Sequence, residues 1–125
     1  MDFDKKILVV DDFPEMRRVI KGALKKMGFS YIIEAEDGDV ALKIIKEDPI
    51  DLILADWNMP KMNGLELLKA VRHDEALKSI PFIMVTAEGR KGSVIEVLKA
   101  GAEDYIMKPF TTQTLGEKIR NVLGE

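Results

Sequence analysis

Five short apolar runs, each followed by an amphipathic segment, constrain this chain more than any other feature of its sequence. The runs are Lys6–Val10, Tyr31–Ala35, Asp51–Ala55, Pro81–Val85 and Asp104–Met107. Each has four or five residues, is rich in Val and Ile, and lacks strict alternation. That is the pattern of a strand buried on both faces, as in a parallel sheet.

Between the runs the period changes to that of a helix. Met16, Ile20, Leu24 and Met27 share one face, with Lys21, Lys25 and Lys26 off it. Pro14 suits the first turn of that helix and Gly28 its C-terminal cap. A second helix is predicted over 38–47, ending ahead of Pro49. A third starts near Asn63-Gly64 and carries Leu65, Leu68 and either Val71 or the stem of Arg72. A fourth covers Lys91–Ala100 with Gly101 as its stop, and a fifth carries Leu115, Ile119 and Val122. No linker, low-complexity tract or repeat interrupts the series, so one domain is expected over residues 1–125. Strands and helices alternating in this way predict an α/β fold, a doubly wound five-stranded parallel sheet with helices on both faces.

Composition then narrows the chemistry. The net charge of −3 argues against nucleic acid as the main partner. The longest apolar run, Ile80–Val85, falls far short of the ~18 residues of a membrane span. The mixed-charge start MDFDKK carries no signal-peptide pattern, so a cytoplasmic location is expected. There is no cysteine and only one histidine, His73, expected to be a surface residue. Chemistry must therefore rest on carboxylates, hydroxyls, lysines and backbone, and any metal should be a hard, oxygen-ligated cation such as Mg²⁺ or Ca²⁺.

In such a sheet, sites form at the C-terminal ends of the strands. Asp11 and Asp12 follow the first run, Asp56 the third, Thr86 the fourth and Lys108 the fifth. Three carboxylates in one cleft repel unless a cation sits among them. A divalent ion, the Lys108 ammonium and the Thr86 hydroxyl would together stabilise a phosphoryl group on a carboxylate nucleophile. Asp56 is the best nucleophile, standing alone after the central strand. Each residue by itself has a plainer reading. Asp11-Asp12 could cap the first helix, Asp56 could be a turn residue, Thr86 could cap the fourth helix, and Lys108 could be a solvated loop lysine. Their conjunction at four strand ends favours the phosphoryl site.

These residues lie in stretches that resemble the receiver domains of two-component signalling, and more closely the single-domain response regulators of bacterial chemotaxis. The stretches are ILVVDDFPEMRR, EAEDG, ADWNMPKMNGLELLKAVR, IMVTAE, KAGAEDYIMKPF and TLGEKI, and they cover nearly the whole chain. The resemblance implies a flavodoxin-like receiver fold with strand order 2-1-3-4-5 and a cis Lys108-Pro109 bond. It implies that Asp56 accepts a phosphoryl group from a phosphohistidine on a sensor histidine kinase. Mg²⁺ would be held by Asp12, Asp56 and the carbonyl of Asn58, with Asp11 acting through water. Lys108 would pair with the phosphoryl oxygens, Thr86 would move to bond them, and Tyr105 would turn inward. The output surface would then change, with Val94, Leu98 and Met107 as its apolar centre and Lys91 and Lys118 at its rim. Asn58 and Glu88 would tune loss of the phosphoryl group to water. The implied partner is the flagellar motor switch, with a phosphatase as a further partner and a monomer as the resting state. Leu98 and Met107 stand where smaller residues are usual in the family, and Asn63 where Asp is more frequent.

Other readings fit less well. Aspartate-based phosphatases carry Asp-x-Asp after the first strand, where this chain has Asp11-Asp12-Phe13. A flavin or nucleotide carrier needs a Gly- or Ser/Thr-rich phosphate loop there. An unphosphorylated interaction module would not need the full set of Asp12, Asp56, Thr86 and Lys108. A receiver from a longer regulator, or from another two-component pathway, is a further reading.

Overall fold

The computed structural model describes residues 3–87, 89 and 91–124. Five strands and five helices alternate: β1 (Lys6–Val10), α1 (Pro14–Met27), β2 (Tyr31–Ala35), α2 (Gly38–Glu47), β3 (Leu52–Ala55), α3 (Gly64–His73), β4 (Phe82–Thr86), α4 (Lys91–Lys99), β5 (Asp104–Met107) and α5 (Thr112–Leu123). All pairings are parallel. The strand order is β2-β1-β3-β4-β5, as the family resemblance implied.

Strand alternation sorts the core into two layers. Ile7, Val9, Leu52, Leu54, Ile83, Val85 and Ile106 face the apolar sides of α1 and α5, meeting Ile20, Leu24, Leu115 and Ile119. Leu8, Val10, Ile53, Ala55, Phe82 and Met84 face the other way, onto Ala41 and Ile45 of α2, Leu67, Leu68 and Val71 of α3, and Val97 of α4. With apolar neighbours on both sides, β1, β3 and β4 lose the polar alternation of a half-exposed strand. Each large side chain so buried contributes about 1.5–3 kcal/mol.

Reading all five strands as buried on both faces is correct only for these three. β2 and β5 are the sheet's edges, and Tyr31, Glu34 and Met107 are exposed. The bounds of two strands shift by a residue. Pro81, predicted to open β4, has no N–H to give the ladder, although its carbonyl accepts from Ile53 at 3.0 Å. Thr86 instead closes the strand in register with Met107. Asp51 lies just outside β3, where its carboxylate accepts the Lys6 N–H at 2.7 Å. The fourth helix ends at Lys99 rather than Ala100. Gly28 closes α1 in the left-handed region, φ 114°, as its place after the helix predicts.

One polar residue does more for the fold than its sequence suggests. Arg72, at the end of α3, donates to the carbonyls of Gly101 at 2.9 Å and Ile80 at 2.7 Å. It also pairs with Glu103 at 2.7 Å, whose same oxygen accepts the Phe82 N–H at 2.7 Å. The guanidinium thus ties together the chain entering β4 and the chain entering β5. Hydrogen bonds to charged groups are worth roughly 1.5–3 kcal/mol, and the carbonyls would be left unpaired without it. Arg72→Met is therefore expected to lower the unfolding free energy by about 2–4 kcal/mol. Urea titration checks this as a lower midpoint with an unchanged slope.

Candidate functional site

The chain runs from β1 out to β2 on one side, then returns to place β3 on β1's other side. Loops leaving β1 and β3 therefore diverge, and the crevice between them opens at their C-terminal ends. Asp11 and Asp12 follow β1 directly, and Asp56 follows β3. Backbone bonds extend the sheet into the crevice: Asp11 N–H donates to Ala35 at 3.1 Å, and Asp56 N–H to Val10 at 2.9 Å.

Asp11 is 1% exposed and Asp56 7%. Carboxylate oxygens of Asp11, Asp12 and Asp56 lie within 4.8 Å of one another. Lys108 reaches them from the end of β5, its Nζ 2.8 Å from Asp11 Oδ2 and 3.3 Å from Asp56 Oδ2. The plain reading of Lys108 as a solvated loop lysine is thereby excluded. The Lys108-Pro109 bond is cis, as expected. Asp11 and Asp12 do not cap α1 either, since Phe13 occupies the cap position without a side-chain bond. Asp11 Oδ1 accepts the Phe13 N–H at 3.0 Å instead, bending the chain so that Asp12 enters the crevice.

Asp56 is held on several sides. Its Oδ1 accepts the Trp57 N–H at 2.7 Å. Behind it, Gly64 donates its N–H to Trp57 at 2.8 Å. A Cβ at Gly64 would collide with the Asp56 carbonyl oxygen, so only glycine lets α3 start this close to the acidic crevice. Asn63 caps α3 in a reciprocal box with Glu66, so Asn serves where Asp is more frequent. Burial pushes the Asp56 carboxyl above its ordinary value of 3.8; Lys108 pulls it down, and Asp11 pushes it up again.

Asp12 Oδ1 is buried with no hydrogen-bond partner among the described residues. An orphaned carboxylate oxygen beside two more carboxylates is the donor set of a hard divalent cation, and the residues present fit Mg²⁺. Asn58 is exposed in the turn leaving β3. Thr86 is buried at the end of β4, and its carbonyl accepts the Lys108 N–H at 2.9 Å. The other expected residues lie farther out. Leu98 and Met107 are 42% and 44% exposed, and Val94 is half-buried. Tyr105 is half-buried, with Lys118 Nζ 4.9 Å from its ring centroid. Glu88 and the side chain of Lys91 lie outside the described residues. His73 is on the surface, as expected.

Three residues of this region were not singled out in the sequence. Arg17 donates to the Asp11 carbonyl at 2.6 Å and pairs with Glu34 at 3.0 Å, backing the first carboxylate from α1. Gly64 reads in the sequence only as a helix start, and Ile95, 41% exposed, joins Leu98 on the outer face of α4. A helical wheel of α4 would have found Ile95. Nothing local marks the other two, whose roles depend on where β1 and β3 end.

A family model for the response regulator receiver domain matches residues 7–120, and the chain belongs to that family. Receiver domains are signalling proteins of two-component systems and hold Mg²⁺ at an acidic pocket of this kind. Within the family the chain is CheY-like. It is 50% identical over 117 residues to chemotaxis protein CheY of Pseudomonas aeruginosa, with 94% of each chain covered. It is 48% identical to chemotaxis protein CheY-3 of Vibrio cholerae, covering 94% of this chain and 90% of that one. The solved chemotaxis response regulator CheY4 of Vibrio cholerae aligns with a TM-score of 0.88 at 34% identity, over 95% of this chain and 98% of that one. A response regulator from Chloroflexus aurantiacus gives 0.92 at 31% identity, over 98% and 99%.

The raised Asp56 carboxyl has a definite sign in stability. The folded protein binds its proton more readily than the unfolded chain does. Ionised Asp56 therefore opposes folding above the folded value, and the opposition vanishes as the pH falls towards 3.8. In chelator, Asp56→Asn is expected to melt higher than wild type at neutral pH, with the gain shrinking on acidification. Thermal melts across pH check it. Trp57, the one tryptophan, adjoins the acidic cluster. Mg²⁺ should quench or shift its fluorescence with the midpoint seen by calorimetry. A calorimetric isotherm without any fluorescence change would place the ion elsewhere.

Proposed function

We propose that the chain is one receiver domain that accepts a phosphoryl group on Asp56 from a phosphohistidine of a sensor histidine kinase. The observation that carries this reading is the Lys108 ammonium, shared between Asp56 and Asp11 at 3.3 and 2.8 Å beside an Asp12 oxygen with no hydrogen-bond partner among the described residues. An oxygen of Asp56 attacks phosphorus, the P–N bond to the donor imidazole breaks as the P–O bond forms, and the leaving imidazole takes up a proton. Asp11, Asp12, Asp56 and the Asn58 carbonyl would hold Mg²⁺, which when bound neutralises phosphoryl oxygens. Lys108 follows the phosphoryl oxygens, because the charge it balances on Asp56 moves onto them. The Trp57 N–H fixes the carboxylate plane, so that the attacking oxygen is presented without a search of rotamers.

The new oxygens draw the Thr86 hydroxyl towards the crevice, and the Tyr105 ring moves into the space vacated. The surface of α4, β5 and α5 carries the change outward. Its apolar centre of Val94, Leu98 and Met107, with Lys118 at the rim, suits a partner helix. The names of the relatives, chemotaxis proteins CheY and CheY-3, support an output in chemotaxis, and we take the flagellar motor switch as that partner. Asn58 and Glu88 tune hydrolysis, and a phosphatase partner would act on the same acyl phosphate. The acidic composition supports neither nucleic acid nor membrane as a target, and we place the protein in the cytoplasm as a monomer. No helix among the described residues is long and apolar enough to cross a membrane.

A second reading, output to another two-component pathway, is favoured by the exposure of Ile95, Leu98 and Met107 together, at 41%, 42% and 44%. Binding of the beryllofluoride-loaded protein to a purified flagellar switch protein separates the two. For the phosphoacceptor, incubation with Mg²⁺ and a small phosphodonor should give acid-stable, base-labile label that mass spectrometry places on Asp56. Asp56→Asn should abolish it. Label that persists in Asp56→Asn but vanishes in Asp12→Asn would sink the assignment.

A further inference from the structure

Lys118 sits on α5, yet its ammonium is engaged at β5. Nζ lies 3.1 Å from Asp104 Oδ1 and 4.9 Å from the centroid of the Tyr105 ring. The same Asp104 oxygen accepts the backbone N–H of Tyr105 at 2.8 Å. One carboxylate oxygen therefore ties the amide of Tyr105 to the cation that faces its ring. The side chains of Lys118 and Asp104 are 30% and 27% exposed, so the pair is partly withdrawn from water. A lysine serving only as a solvated rim charge would keep its ammonium in water rather than on two partners at once.

We propose that Lys118 is a positioning residue that holds the Tyr105 ring where it now lies, and so sets how much phosphorylation is needed to move it. The proposal rests on the reading of Tyr105 as the moving ring of the switch. A contact made in only one of two states shifts their equilibrium by its whole free energy. The cation lies within the ~6 Å at which a ring face attracts it, and such a contact at a partly exposed site corresponds to about a two- to fivefold change in population. Asp104 makes the contact directional: it fixes the ammonium by charge and the Tyr105 backbone by hydrogen bond, leaving the ring to rotate away from or towards the cation. Arginine can keep both charge and ring stacking, whereas methionine keeps only the length and apolar stem.

The test uses ring-labelled tyrosine in the full chain. The protein has two tyrosines, and the exposed Tyr31 on β2 serves as internal reference. In the resting protein, Lys118→Met should move the Tyr105 ring resonances towards the positions they take in wild type saturated with beryllofluoride and Mg²⁺. Lys118→Arg should leave them at the wild-type position, and Tyr31 should not respond in any variant. The beryllofluoride titration midpoint of Lys118→Met should fall about two- to fivefold. A resting Tyr105 ring unmoved in Lys118→Met overturns the proposal, as does a moved ring with an unmoved midpoint. Beryllofluoride that leaves the wild-type Tyr105 ring in place refutes the switch reading instead, and the resting comparison still decides whether Lys118 holds the ring.

Discussion

The charge of Lys108, delivered from the end of β5 to carboxylates at the ends of β1 and β3, is the contact on which the rest of this molecule turns. Two unit charges 4 Å apart at a partly screened site interact by about 4 kcal/mol. That is a large share of the roughly 5–15 kcal/mol by which a domain is stable, so crowded carboxylates could not stand uncompensated. Lys108 offsets the repulsion by approaching Asp11 and Asp56 together, at 2.8 and 3.3 Å. In doing so it joins strands that are not all neighbours: β5 is separated from β3 by β4, and from β1 by β3 as well. At the opposite end of the sheet Arg72 performs the corresponding task for the chain entering β4 and β5. Between these two polar ties lies a core in which β1, β3 and β4 are apolar on both faces.

The compensation is incomplete, and under the proposed function that incompleteness serves the chemistry. Asp56 stays partly unfavourable to ionise because burial and the neighbouring Asp11 together outweigh Lys108. Asp12 retains a buried oxygen with no partner among the described residues. Both deficits are relieved by added positive charge, which is what a divalent ion brings. Folding stability and the proposed readiness for phosphoryl chemistry are thus set by the same few ångströms of carboxylate spacing. The stability deficit of one supplies the affinity of the other.

Rigidity is distributed unevenly around this pocket. On the β1 and α3 side, the Asp56 backbone is tied to Val10 and backed by Gly64, and its carboxylate is held by the Trp57 N–H. On the β5 side, the packing opens towards water: Met107 is exposed, Tyr105 half-buried, and Leu98 and Ile95 project outward from α4. A change of charge at Asp56 cannot be absorbed by the first side without breaking backbone bonds. Under the proposed function it is absorbed where side chains have somewhere to go. The pairing of Lys118 with Asp104 and the Tyr105 ring stands at that softer side, close to the surface proposed for a partner.

Much of this was legible in the sequence because it is periodic or local. The alternation of Val/Ile runs with helical faces determined the fold class. Pro14, Gly28 and the Asn63 cap marked helix ends, and Asp11, Asp12, Asp56, Thr86 and Lys108 stood at strand ends whatever the strand order. What the sequence could not express were relations between residues distant along it. The edge positions of β2 and β5 follow from strand order, so the exposure of Tyr31 and Glu34 was invisible to a pattern read one run at a time. Arg72 reads as an ordinary helix-end cation until Gly101 and Ile80 arrive beside it. Gly64 reads as a helix start until the Asp56 carbonyl occupies the space of its missing Cβ. Residue type and spacing by themselves determined which groups this protein would bring to the edge of a parallel sheet. Only tertiary packing decided which of them touch, because contact distance and burial, and with them the charge balance of the pocket, exist only once the strands lie side by side.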